Sequence, residues 1–393
     1  MNDYFINPKD FGAIGDGIHD DTEAIRAAIQ KASEGSGVVK FSFGTYRTDV
    51  IDVPQAVCIK SEPTWAFRTK GRTVLIPAKE EQNCIFDVSG ASGATISGLC
   101  ICGNGMGSNM HGISMDRERR RDEEHAVRID TCQIREFSGN GLNLIGAWAV
   151  SVRHSHSCHN GGYGLYLDGT DAFIVDNWFS GNKKAGFGGD TWNSAVNFTS
   201  NRVEWNGECG IRLSGGMRYN ITGNYIDRSF GPAIIIEDAE NYHKRLHKTH
   251  TVMPYAITVT GNTIVRSGKT AEDGSDGDCH IFMKRAAGIA IVGNTFNVWK
   301  DDGRNGRISP HKGIIIEQCS HCVIANNTML PGAVKELIED RGGHGDQVII
   351  KDNVGDTVPE RAWNCQDPFT PVHFMSEGGA PWFSEQLAGE SND

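Results

Sequence analysis

No stretch of the 393 residues approaches the ~20 consecutive apolar residues that cross a bilayer, so no segment reads as a membrane helix. Positive charge is in deficit. The 38 Lys and Arg against 49 Asp and Glu leave a formal charge of −11, the opposite of the basic face a nucleic-acid binder presents. The same balance disfavours a polyanionic ligand unless a metal or a local basic patch intervenes. A disulfide framework is also missing. The eleven Cys are scattered and odd in number, which reads as reduced, mostly buried thiols of a cytoplasmic protein. Cys319 and Cys322 form one C-x-x-C, but no second pair or His spacing accompanies it, so no metal centre is expected there. The opening MNDYFINPKD lacks the basic-then-apolar order of a secretory signal, which agrees with a cytoplasmic location, or a secreted one if a signal has been removed.

Glycine, in contrast, is abundant, with 48 residues set among many short apolar runs. That pairing favours strands and tight turns. One pattern recurs: apolar alternation, then Asn, then another apolar residue. It reads FIVDNWF, NFTSNRV, NITGNYI, TVTGNTI, IVGNTF, VIANNTM and VIIKDNV, with Asn177, Asn201, Asn224, Asn262, Asn294, Asn327 and Asn353 in the shared place. The spacings are 24, 23, 38, 32, 33 and 26. A unit near 23 residues holding two or three short strands is one turn of an all-β parallel solenoid, which buries its apolar face only against the next turn. Stacked Asn side chains then bond to one another in a ladder, which gives these residues a structural role.

DDTEAIRAAIQKA predicts a short helix, with Asp20 as N-cap and Glu23 three residues on. Ile25 and Ile29 share one face, suited to covering the open edge of the first coil. The expected division is a cap over 1–36, coils over 37–355, and a tail over 356–393. The tail holds Phe369, Phe374, Trp382 and Phe383 without a repeat, and is expected to pack along the solenoid or on a neighbouring subunit.

KDFGAIGDGIHDDTEAIRAAIQKA, followed by GVVKFSFGTYRT, resembles the opening of the pectate-lyase-like right-handed parallel β-helix superfamily. The usual Pro before the G-x-Y is replaced, since the chain reads Ser42-Phe43-Gly44-Thr45-Tyr46. The resemblance implies a right-handed parallel β-helix. The superfamily includes polygalacturonases, lyases, epimerases, fructotransferases and phage tailspikes, so the fold alone does not choose a function.

A second strand recurs as GLYLD, GFGGD, GIRLS, AIIIE, HIFMK, GIIIE and KELIE. Its closing residues are Asp168, Asp190, Ser214, Glu237, Lys284, Glu317 and Glu339, with Asp116 in an earlier coil. The step from ladder Asn to this column is 13 residues for Asp190, Ser214 and Glu237 alike. Neighbouring coils lie ~4.8 Å apart, so Asp168 and Asp190 should be neighbours and Asp190 and Glu237 two coils apart. Stacked acids repel, and glycosidic-bond cleavage uses two carboxyls with one held protonated by such crowding. Asp190 and Glu237 are therefore the candidate acid and base or nucleophile, with Asp168 and Glu317 as neighbours or alternates. The extra residues of the three long repeats border the column and are expected to wall a cleft. One of them carries Tyr242 and His243 beside several Lys and Arg, suited to a sugar acid or phosphate. Trp192 is a candidate sugar platform. Asp116 to Glu124, DRERRRDEE, reads as a solvated loop.

The N-T-D, D-D, H-G and R-I-K set of polygalacturonases does not occur in order, and the D-P-H motif of epimerases is absent. A lyase would use Arg212 or Lys284 as base and usually calcium; otherwise no cofactor is expected. GIIIEQCSHCVIANNTMLPG, Gly313 to Gly332, resembles a coil of the inulin fructotransferases. That resemblance puts Glu317 in the place of their catalytic Glu, and Asp227 with Glu237 offers a similar Asp-then-Glu pairing. It further implies a homotrimer with sites between parallel helices. The expected activity is cleavage of an oligo- or polysaccharide, with a lyase or a non-catalytic glycan-binding, tailspike-like trimer as alternatives. No nucleic-acid or membrane partner is expected.

Overall fold

The computed structural model describes residues 5–35, 37–190, 194–243, 248–299 and 308–357. Each regular coil contributes three short strands, every one hydrogen-bonded in parallel to its counterparts in neighbouring coils. One strand per coil forms a 13-stranded back sheet. The other two form a front run and a side run, joined into a 23-stranded sheet where Thr170 pairs with Ser194. The fold is the expected parallel β-helix.

Alternation along each strand sends every second residue inward. On the front run Leu165 and Leu167, Ile211 and Leu213, Ile234 and Ile236, and Ile314 and Ile316 are wholly buried. Ile174, Phe198, Ile221 and Val259 face them from the side run, and Phe179, Val203, Ile226 and Ile264 from the back sheet. Each such side chain contributes about 1.5–3 kcal/mol by leaving water. No coil has enough of them to stand alone, so the stack folds as a unit.

The Asn ladder forms as expected. Asn201 Oδ1 accepts from the backbone N–H of Asn177 at 2.9 Å and from its Nδ2 at 3.1 Å. The same pair of bonds links each step from Asn201 through Asn224, Asn262, Asn294 and Asn327 to Asn353. The ladder marks the corner from side run to back sheet. The residue before each Asn has positive φ, which is why glycine stands at 223, 261 and 293 in three of these turns. A second ladder, absent from the repeat reading, occupies the next corner, where Asn160, Asn182 and Asn206 bond in series at 2.9 and 3.0 Å.

The capping helix spans Thr22–Ser33, and Ile25 and Ile29 are buried as expected. Its N-cap is Asp21 rather than Asp20, and no capping box forms. Asp21 instead accepts the backbone N–H groups of Ile14 and Gly15, tying the preceding loop to the helix start. The ten described cysteines are free thiols and nine are buried. Cys319 and Cys322 lie in the core.

Three imidazoles, the buried His156 and His280 and the half-buried His159, are held neutral by desolvation, with His156 and His280 pushed down to about 3 and His159 to about 4. His280 is in line with Gly210 and Ala233 at the start of its front strand, and neither ring nitrogen has a hydrogen-bond partner. The unfolded chain protonates its histidines near 6.5 while the folded chain does not, so unfolding takes up protons and stability falls as pH drops below about 6.5. The melting temperature should decline between pH 6.5 and 5, and His280→Leu should flatten that decline; an unchanged slope would rule this source out.

Candidate active site

The column exists in the backbone. Asp190 pairs with Ser214, Ser214 with Glu237, and Lys284 with Glu317. Leu167 pairs with Gly189, which carries Asp168 opposite Asp190 on the adjacent coil. Glu237 follows two coils after Asp190, a step of roughly 10 Å. The side chain of Asp190 lies outside the described residues, as does Trp192. Tyr242 and His243 belong to a hairpin, Ala239–His243 against Lys248–Val252, that leaves the front run directly after Glu237, with side chains outside the described residues.

Glu339 does not belong to the column. It pairs with Ile315, two residues earlier in register, and Arg341 follows in the place opposite Glu317. The motif KELIE puts the closing residue at Glu339, but the strand Glu336–Asp340 starts later than that motif suggests.

The expected crowding of like charges is not what the described side chains show. Asp168 Oδ2 meets Arg117 Nη2 at 2.7 Å, Glu237 Oε1 meets Arg212 Nη2 at 2.6 Å, and Glu317 Oε1 meets Lys284 Nζ at 2.8 Å. Each acid thus has a cation beside it, drawn from its own column, a neighbouring strand or a loop. The other oxygen of Asp168, Oδ1, is buried and has no hydrogen-bond partner among the described residues.

Arg117 comes from the loop read as merely solvated. That segment lies across the front face, with Arg119 bonded to Asp87 at 2.5 Å and to Asp52 at 2.7 Å. The signal was present in the alternation of Arg with acids in DRERRRDEE, directly after a column residue. Two aromatics were also missed. Tyr166 is in register with Gly188 on the outward side of the front run. The Tyr163 ring, 5.3 Å from that of Tyr166, lies so close over Gly188 that a Cβ there would come within 2.5 Å of it. Glycine at 188 therefore admits an aromatic ring onto the strand that ends in Asp190. Lys184 stands over the Tyr163 ring at 5.4 Å.

Asp227 is not at this site. It ends the back-sheet strand Tyr225–Asp227 and is fully buried. Arg266 binds it through Nε at 2.9 Å and Nη2 at 2.6 Å, Tyr225 donates to it at 3.0 Å, and Arg228 also pairs with it. Its pairing with Glu237 in sequence is therefore not a pairing in space, because strand and column belong to different faces.

Among the described residues one group could hold a metal, Asp273, Asp278 and His311. Asp278 already accepts from the His311 backbone N–H and from Gly274 N–H, while its Oδ2 lies 2.7 Å from His311 Nδ1. These bonds tie together the two long insertions that precede Lys284 and Glu317.

Comparison with known proteins agrees with this architecture. Residues 81–226 match the family model for a right handed beta helix region. The chain is 27% identical over 269 residues to the mannuronan C5-epimerase AlgE5 of Azotobacter vinelandii, covering 64% of this chain but 26% of that protein. It superposes on the A-module of the A. vinelandii mannuronan C-5 epimerase AlgE4 with a TM-score of 0.60 at 18% identity, covering 90% of this chain and 100% of the module. It also superposes on the enzymatically active domain of tailspike protein 2 of bacteriophage CBA120, with a TM-score of 0.67 at 15% identity, covering 83% and 48%. With its three parallel runs, its corner ladders and these likenesses, the chain has the fold of a right-handed parallel β-helix, and residues 81–226 match that family's model.

Proposed function

We propose that the front face binds an oligo- or polysaccharide and breaks a glycosidic bond by carboxylate chemistry, with Asp168, Asp190 and Glu237 supplying acid and base or nucleophile. The observation that carries this reading is Asp168. Arg117 fixes one oxygen, and the other is buried and unpartnered on an aromatic-flanked face. A buried acceptor left unpaired costs about 1–3 kcal/mol, and a substrate hydroxyl donating to it would relieve it. The one-coil step from Asp168 to Asp190 is near the ~5–5.5 Å of retaining glycosidases, and the two-coil step to Glu237 lies just beyond the ~6.5–9.5 Å of inverting ones. Transfer to a sugar hydroxyl instead of water would use the same first step. Tyr163 and Tyr166 offer stacking surface to a sugar ring.

The cations favour a second reading, in which the substrate carries uronic acids. The AlgE proteins are named as epimerases of mannuronan, and Arg117, Arg212 and Lys284 line this face. In that case the arginines bind a carboxylate rather than act as bases. Burial works against the charge on Arg212, yet Glu237 beside it holds the guanidinium above its usual pKa. Asp168 is followed by Gly169 and Thr170, not by the Pro-His of epimerases.

The test is incubation with a panel of neutral and uronate-containing polysaccharides, read by mass spectrometry, ultraviolet absorbance and proton NMR. New reducing ends without absorbance support hydrolysis. An absorbing unsaturated product means elimination, and an intact chain with altered sugar signals means epimerisation. Binding without any product overturns the enzymatic reading in favour of a glycan-binding protein.

A further inference from the structure

A group of buried nitrogen donors on the outer side of the back sheet has no partner. Arg135 ends the strand Gln133–Arg135, in register with Cys102 on the coil before and Cys158 on the coil after. Its Nε and Nη2 each lie 2.9 Å from Glu136 Oε1, while the buried Nη1 meets nothing. His156 is wholly buried; its Nε2 lies 2.9 Å from Ser180 Oγ and its Nδ1 has no partner. The buried Nδ1 of His159 has none either. His156 is in register with Gln133, two residues from Arg135 on the same outward side, and His159 directly follows Cys158. Arg135 and His156 are thus diagonal neighbours on the outer face of adjacent coils, with His159 one residue past the position opposite Arg135.

A strap covers this part of the sheet. Over residues 62–72 the chain crosses the back sheet, with Trp65 Nε1 donating to the Thr131 carbonyl at 2.7 Å and Gln133 Nε2 to the Ala66 carbonyl at 3.0 Å. The Phe67 ring stacks on His156 at 5.2 Å, and Lys70 reaches Glu136 at 2.7 Å. Lys70 and Arg135 against the single Glu136 leave one positive charge under this cover. The thiols nearby do not balance it, because burial pushes Cys100, Cys102 and Cys158 upward, Cys158 to about 12. The imidazoles are neutral for the same reason, with the charge of Arg135 also acting on both. A buried guanidinium that shares its one carboxylate with Lys70 and keeps an idle donor is costly. An idle guanidinium N–H with two imidazole Nδ1 atoms in its neighbourhood that also lack partners is what a small anion needs.

We infer that Arg135, His156 and His159 form a site for a monovalent, chloride-sized anion held beneath the 62–72 strap. The site calls for the His156 tautomer with its proton on Nδ1, in which Nε2 accepts from the Ser180 hydroxyl. The single net charge matches a halide better than a divalent oxyanion.

The test uses the full chain and bromide. Crystals grown without halide and soaked in bromide should show an anomalous peak in contact with Arg135 Nη1. Melting at fixed ionic strength should rise by about 3 °C when bromide replaces gluconate at a hundred times Kd. Arg135→Gln should abolish both signals and His159→Phe should weaken them. A peak that is absent, or that survives in Arg135→Gln, overturns the proposal, as does ordinary water at the spot in halide-soaked crystals. If Arg135→Gln fails to fold, the wild-type peak and its salt response still decide.

Discussion

Asp168→Asn should lower turnover on the true substrate by about 10²–10⁴-fold with little change in KM, the usual range for removing an acid or base. The substitution keeps the side chain's shape and its position beside Arg117, but the amide can neither hold nor surrender the catalytic proton. Asp190→Asn and Glu237→Gln should each fall in the same range. Groups that act as a unit lose their effect together, so the Asp190→Asn/Glu237→Gln double variant should be scarcely slower than the worse single one. Glu317→Gln provides the contrast. Glu317 is two coils beyond Glu237 and paired to Lys284, so it should retain most activity unless the fructotransferase resemblance locates the chemistry there. Arg117→Gln should raise KM more than it lowers kcat if the arginine meets a substrate carboxylate. Circular dichroism and melting curves of these variants should stay near wild type, since the described side chains among them, Asp168, Glu237, Glu317 and Arg117, are partly exposed. Near-normal turnover in both Asp190→Asn and Glu237→Gln would end the proposal.

The fold was legible because its stabilising pattern is periodic in sequence. One Asn per coil, with a left-handed residue before it, can be counted without coordinates, and the 13-residue step to the front strand gives the register of Asp190, Ser214 and Glu237. The second ladder escaped because Asn160, Asn182 and Asn206 are followed by Gly, Lys and Gly, so no shared flanking apolar pattern draws attention to them. What the repeat does not encode is which charge meets which. Arg117 reaches Asp168 from a position 51 residues earlier, and such a contact depends on how a loop folds over the sheet. The KELIE slip has a similar cause: Glu339 stands 12 residues after Asn327 and Arg341 stands 14, one on each side of the usual 13-residue step, and alternation looks the same in either register. Asp227 was misassigned because spacing along the chain says nothing about which of three faces a strand end occupies.

That misassignment leads to the largest expected effect on stability. Asp227→Ala should cost about 3–5 kcal/mol, the range for breaking a buried ion pair on one side, and so lower the melting temperature by about 4–6 °C for a chain of this size. Asp227 is fully buried, and its carboxylate faces Arg228 and Arg266 as well as the Tyr225 hydroxyl. Removing it takes away the counter-charge both guanidiniums face. Part of the loss should be recovered nearby. Glu204, in register with Asp227, lies 3.9 Å from Arg228 Nη1 and has its pKa raised, by burial first and by the Asp227 charge among lesser causes. With Asp227 gone, Glu204 ionises more readily and Arg228 can turn to it, which favours the lower half of the range. Asp227→Ala/Arg266→Met removes one of the two guanidiniums together with the carboxylate that binds it, so it should be more stable than Asp227→Ala alone, as expected when a buried charge is removed along with its partner. Turnover per folded molecule should be unchanged in both, because the network is on the back sheet and the column is on the front. Loss of turnover in Asp227→Ala at unchanged melting temperature would instead return Asp227 to the substrate site.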